Sequence, residues 1–143
     1  MWLGGESMTV QTNRSLAKYI IFTIITCGIY SLYTIYAIAR DINMMCEDDG
    51  YKTAGLLKYF LLSLITCSIY SLYWHYKVAD RLHGNAEKYN ITITESGSTV
   101  LVWLLLGCFI CPFFQFFAMY IIFKNMNLMA VEYNNKLDSN AQF

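Results

Sequence analysis

The chain has 143 residues, the length of one domain. Of these, 57% are hydrophobic and 14% charged, where soluble proteins average roughly half and a quarter, and the ten basic and ten acidic residues cancel. That balance excludes a polyanion partner, because nucleic-acid binders concentrate Lys and Arg on one face.

Residues 1–13, largely polar and containing Gly4-Gly5, read as a disordered leader. Glu6 stands where a secretory signal needs basic residues, so the first apolar run, which starts after Arg14, is expected to be retained. Three stretches then lack Asp, Glu, Lys and Arg: 19–39, 59–76 and 99–123. Crossing a hydrocarbon core of about 30 Å takes about 20 residues. The first and third stretches reach that length, and the second is ended early by Lys77, a residue able to snorkel. The expected fold is an all-α integral membrane protein, with a single membrane domain over 14–130 and a polar C-terminal tail over 131–143.

The first two stretches are copies of one another. Leu16 to Asn43 reads LAKYIIFTIITCGIYSLYTIYAIARDIN, and Leu56 to His83 reads LLKYFLLSLITCSIYSLYWHYKVADRLH, in register at an offset of 40 residues. Residues 99–127 form a degenerate third copy in which Cys108 falls on Cys67 and Ile110 on Ile69. Such periodicity marks one supersecondary unit used repeatedly. Each clear copy has an apolar first arm and an amphipathic, tyrosine-rich second arm, with Ile29, Leu32, Tyr36, Ala39 and Ile42 at helical spacing. Between the arms lies Thr26-Cys27-Gly28 or Thr66-Cys67-Ser68, where a helix-weakening Gly and competing hydroxyls predict a break. Gly107 and Pro112 interrupt the third copy near its middle. Tyr19 and Tyr59 are expected at one membrane boundary, and Tyr33, Tyr36, Trp74 and Tyr76 at another. After Lys124, Met126, Met129, Tyr133 and Leu137 suggest a short amphipathic helix.

Two topologies compete. If each segment crosses once, five cations lie on either side and no positive-inside preference results. If each folds back at its break, all ten cations share one side, but an arm of about 11 residues reaches only mid-bilayer. Length favours kinked spans with an interfacial second arm, and charge favours re-entrant hairpins. Kinked spans are the expectation.

The string Thr26-Cys27-Gly28-Ile29-Tyr30-Ser31-Leu32-Tyr33 and its second copy, ending Leu72-Tyr73-Trp74-His75-Tyr76-Lys77, resemble the doubled TxGIYxxYWxYK motif of domain-of-unknown-function family 4234. The resemblance runs from about Arg14 to Met129 and includes Arg40-Asp41-Ile42-Asn43 and Asn127, with Thr34 and Ser68 as departures. It implies a small multi-pass protein of a bacterial cytoplasmic membrane, without an assigned activity.

The breaks, Thr26, Cys27, Gly28, Thr66, Cys67 and Ser68, are the candidate functional sites, since broken helices expose groups that can bind ions or substrates. The competing role of their small polar residues is helix packing. Cys108 and Cys111 have the spacing of a redox pair but lack a basic neighbour, so buried packing thiols are expected. His75 reads as an interfacial histidine, its counterpart being Ile35, and Arg40, Asp41, Asp80 and Arg81 read as solvated helix ends. Cys46 is the one cysteine in a polar loop. No catalytic, cofactor-binding or metal-ligating set is recognisable. The lipid bilayer is the expected partner, together with a second copy or another membrane protein. A non-enzymatic structural or regulatory role is expected, with an oligomeric channel or transporter and a membrane-shaping hairpin protein as alternatives.

Overall fold

The computed structural model describes residue 10 and residues 12–141. Among the described residues it is all-helical, with six α-helices in chain order: α1 Leu16–Ile25, α2 Ile29–Met45, α3 Leu56–Ile65, α4 Ile69–Asn85, α5 Gly97–Phe109 and α6 Phe114–Ala141. Short 3-10 turns at Glu47–Asp49 and Glu87–Tyr89 follow α2 and α4. Most of the expected leader lies outside the described residues. Within it Val10 is buried, and its backbone N–H and C=O are both bonded by the Asn134 amide at 2.8 Å.

The helices form three antiparallel hairpins: α1–α2, α3–α4 and α5–α6. This corrects the kinked spans expected from length. In the second hairpin the Tyr59 and Ser71 hydroxyls are 2.8 Å apart, the Tyr59 and Trp74 rings meet at 5.2 Å, and Trp74 Nε1 donates to the Ala54 carbonyl at 2.9 Å. Ala54 and Trp74 would stand about 30 Å apart on one continuing helix. Phe22 and Tyr30, at 5.3 Å, and Trp103 and Phe117, at 5.0 Å, close the other two hairpins in the same way. The reversal comes from two successive left-handed residues, Cys27 (φ 54°) with Gly28 (93°) and Cys67 (52°) with Ser68 (71°). A proline kink merely bends a helix, whereas paired left-handed residues turn the chain around. In the third hairpin the arms press together at Gly107, where an added Cβ would stand 2.3 Å from Gln115 Cγ.

The hairpins pack as a ring, tied at the end farthest from their tips. Asn43 at the foot of α2 donates to the Thr53 carbonyl (3.1 Å) and accepts from the Thr53 N–H (2.8 Å), holding the segment that leads into hairpin 2. His83, its counterpart on α4, donates through Nδ1 to the Ile93 carbonyl (2.7 Å), ahead of hairpin 3. Asn127 on α6 closes the ring, exchanging two 2.9 Å bonds with the Arg14 backbone ahead of hairpin 1.

The core fills this lower tier. Ile35, Ile38, Ile42 and Met45 on α2 meet Val78 and Leu82 on α4 and Ile122, Met126 and Met129 on α6. The apolar face of α2 therefore shares only Ala39 and Ile42 with the expected stripe, and Ile29 and Tyr36 are exposed. The lower tier needs a face toward two neighbours, and the tip has none to face. The residues after Lys124 continue α6 without a break, and Lys136 Nζ donates to the Lys88 carbonyl at 2.7 Å.

Candidate functional site

At each of the first two tips a threonine hydroxyl is the hinge. Thr26 Oγ1 donates to the Phe22 carbonyl (2.7 Å) and accepts from the Tyr30 N–H (2.9 Å), and Thr66 does the same with Leu62 (2.7 Å) and Tyr70 (3.0 Å). It therefore caps the end of one helix and the start of the next. The backbone N–H groups of Cys27, Gly28, Ile29 and Ser31 all find acceptors within 3.2 Å, as do those of the matching residues of hairpin 2 within 3.4 Å. The candidate residues Thr26, Cys27, Gly28, Thr66, Cys67 and Ser68 are thus first of all the parts of two turns.

Around those turns the surface is apolar. Ile24 is 73% exposed, Ile65 75% and Phe109 83%, and Ile25, Ile29, Leu64, Ile69, Ile110 and Phe113 are similarly uncovered. The thiols of Cys27, Cys67 and Cys108 are exposed and Cys111 is partly so, which corrects the expectation that Cys108 and Cys111 are buried packing residues. They sit where the hairpin tips project beyond the core. Cys46, expected in a polar loop, is instead buried in the lower core, and burial pushes its thiol up to about 11.

Inside the ring, on the tip side, lies a cleft of about 450 Å³. Its polar lining comes from Tyr19, Ser31, Tyr59, Ser71, His75 and Gln115, one or more from each hairpin, and Cys67, Ser68 and Cys108 edge it. Ile35, Leu104 and Met119, all buried, floor it. His75 is correspondingly buried rather than interfacial. Its Nδ1–H donates to the Ser71 carbonyl at 2.7 Å, and its ring stands edge-on to Trp74 at 5.1 Å. The fold-back also merges the two aromatic levels expected from sequence, since Tyr59 meets Trp74.

The lower tier holds the charges that sequence reasoning placed in solvent. Asp41 is 1% exposed and pairs with Arg14 across the hairpin, with Arg40 Nε 3.0 Å away on its other oxygen. Burial lowers the pKa of the Arg14 guanidinium against the opposing pull of Asp41. Arg81, 9% exposed, donates to Asp49 (2.7 and 3.0 Å), Asn43 Oδ1 (2.6 Å), Thr53 Oγ1 (3.0 Å) and the carbonyls of Cys46 (2.9 Å) and Tyr51 (2.7 Å). Burial disfavours the Asp49 carboxylate. The bonds from Arg81, the Tyr51 N–H and Asn85 outweigh that and hold its carboxyl below the usual value. Among the described residues, no group of three His, Cys, Asp or Glu side chains could hold a metal ion.

One helix stretch, Phe114–Ser139, is long and apolar enough to cross a membrane, and half of its most apolar window is buried inside the protein. No curated protein and no solved structure matches the chain. A family profile does, described as a domain of unknown function, DUF4234, and it matches twice, over residues 14–84 and 54–128. The first match takes in hairpins 1 and 2, and the second takes in hairpin 2 and runs well into α6 of hairpin 3. The motif at the tips and the profile over most of the sequence agree, and the chain belongs to the DUF4234 family.

Proposed function

We propose that this is a non-enzymatic membrane protein that seats three helical hairpins in one leaflet of the bilayer and acts as a structural wedge there. The supporting observation is the division of the molecule into two tiers. The three tips expose large apolar side chains side by side, while all ten cations lie in or at the edge of the lower tier. Exposed apolar surface of that extent marks a binding face in a soluble protein or a lipid-facing one here. The N–H groups of Cys27, Gly28, Ile29 and Ser31, and of their counterparts in hairpin 2, are also bonded within their own turns, as hydrocarbon demands of an irregular segment. Helices α1 and α3, at ten residues, rise about 15 Å, half the thickness of a hydrocarbon core. Lys124 at the middle of α6 bonds Glu95 in the lower tier, which supports only the upper part of α6 entering lipid.

A pore is not favoured. The cleft is floored by buried apolar residues, and the Thr26 and Thr66 hydroxyls are engaged in their own turns. On this reading every loop between hairpins lies on one side of the bilayer, and the positive-inside rule makes that side the cytoplasm.

Labelling of the full chain in cells tests this. Asp48→Cys and Glu87→Cys sit in successive exposed loops. Neither is expected to react with an impermeant maleimide outside intact cells, and both should react after permeabilisation. Labelling of one without the other in intact cells would overturn the reading, because spans place successive loops on opposite sides. In vesicles, a fluorophore on Cys27 should be quenched by lipids carrying the quencher deep in the acyl chain.

A further inference from the structure

We infer that the outer face of hairpin 2 binds an anionic phospholipid, a reading that rests on the leaflet insertion proposed above. A groove of about 720 Å³ runs there between α3 and α4. Its lower end is lined by Lys52, Lys58 and Lys77, and its upper end by Leu62, Tyr70 and Tyr73. All three lysines are exposed, and none makes an ion pair or a hydrogen bond among the described residues. Lys77 is held over the Tyr51 ring at 5.7 Å. The other charges lining the groove are Asp49, Arg81 and Asp80. Asp49 and Arg81 neutralise one another at 2.7 Å, which leaves three cations against one carboxylate.

The depth is that of a phospholipid phosphate. Lys58 precedes Tyr59, whose ring packs on Trp74, so the cations stand at the level of the aromatic residues that prefer the headgroup region. Trp74 lines the groove with its Nε1 already bonded to the Ala54 carbonyl. Leu62 and Tyr73 lie closer to the tip, where acyl chains begin. An anionic headgroup with an apolar chain matches both ends of the groove at once, and a free phosphate matches only the lower end.

Hairpin 1 sharpens the assignment. The equivalent place there is a crevice of about 30 Å³, lined by Lys18, Tyr30 and Tyr33. Phe123 packs into it against Tyr19 at 5.5 Å, and Ala37 stands where hairpin 2 has Lys77. One site per chain is expected.

The test uses the full chain in nanodiscs holding equal amounts of dioleoyl phosphatidylglycerol and dioleoyl phosphatidylcholine, with retained lipid counted by native mass spectrometry. Wild type should keep one phosphatidylglycerol in preference to phosphatidylcholine. Lys52→Gln/Lys58→Gln/Lys77→Gln should reduce that retention by about fivefold per lysine and leave phosphatidylcholine unchanged. Lys77→Ala alone, which installs the residue of hairpin 1, should lose about fivefold, and Arg40→Gln/Lys136→Gln, on other surfaces, should have no effect. Equal phosphatidylglycerol retention in wild type and both groove variants would overturn the proposal. Competition by soluble glycerol phosphate at matched concentration would overturn the lipid as occupant. Entry into neutral and anionic bilayers without lipid preference would sink this site alone, whereas failure to enter either would sink the leaflet reading.

Discussion

Hairpins 1 and 2 share helix lengths of 10 and 17 residues and the same hinge threonine, yet they differ at their bases. At equivalent positions hairpin 1 buries Asp41 and hairpin 2 buries Arg81. Asp41 is answered by Arg14 from its own lead-in segment, whereas Arg81 is answered by Asp49 from the turn after hairpin 1. The tip has only its own backbone to satisfy, so one local solution serves twice. The base must satisfy a neighbour, and each neighbour differs, so the charge can change sign provided a partner arrives. A groove stays open where no ring is packed into it, as Phe123 is in hairpin 1.

The largest expected effect is at the buried charges. Arg81→Met removes the cation paired with Asp49 and one donor each from the Cys46 and Tyr51 carbonyls, and should cost about 3–5 kcal/mol, read from thermal unfolding in mild detergent. Asp41→Asn should fall in the same range because it removes the carboxylate charge facing the buried Arg14 guanidinium. A loss below about 1 kcal/mol in both would mean that the bases behave like exposed ion pairs. The ring clasps come next. Asn43→Ala and Asn127→Ala each remove two bonds to backbone and should cost about 1–3 kcal/mol in the same assay.

At the tips the comparison changes sign. Gly28→Ala meets no atom within 4 Å, so only its left-handed backbone resists, and a cost of about 1–2 kcal/mol is expected. Ser68→Gly relieves the same strain in hairpin 2 and should raise stability by about 1 kcal/mol. Unchanged midpoints for both would show that the tips contribute nothing to folding. The smallest effect is in acid. The folded Asp49 carboxyl titrates below its unfolded value, so its contribution is complete above about pH 5 and is lost as pH falls through the folded value. Wild-type midpoints should stay level from about pH 7 to 5 and fall below about pH 4. Asp49→Asn should flatten that fall in part, since Glu95, held low by its bond from Lys124, titrates in the same direction.

The tips were largely legible in the sequence. Thr26-Cys27-Gly28 and Thr66-Cys67-Ser68 announced breaks, and the even split of cations between alternating loops already argued for a fold-back. Length pulled the other way, because a 21-residue apolar run looks the same whether it crosses a bilayer or enters and returns. The bases were not legible as buried charges. Arg40-Asp41 and Asp80-Arg81 look like solvated helix ends, and their partners Arg14 and Asp49 lie 27 and 32 residues away. One signal was present: the two copies reverse charge at an equivalent position, which free surface charges have no reason to do. Asn43, His83 and Asn127 gave no hint of a ring, since each reaches a backbone group rather than a side chain that pattern could mark.

The clasp between Asn127 and Arg14 sets an order of events for the growing chain. Hairpins 1 and 2 can be joined through Asn43 as soon as Thr53 has been made, and hairpin 3 can be added through His83. The first hairpin's own leading edge must wait for a residue synthesised 113 positions later. Until then the open ring presents an unfinished side, with the Val10 and Arg14 backbones still waiting for Asn134 and Asn127 and the Tyr19 crevice lacking Phe123. The last helix is thus a latch, and a ribosome or insertase that releases the chain before it has formed releases an open arc.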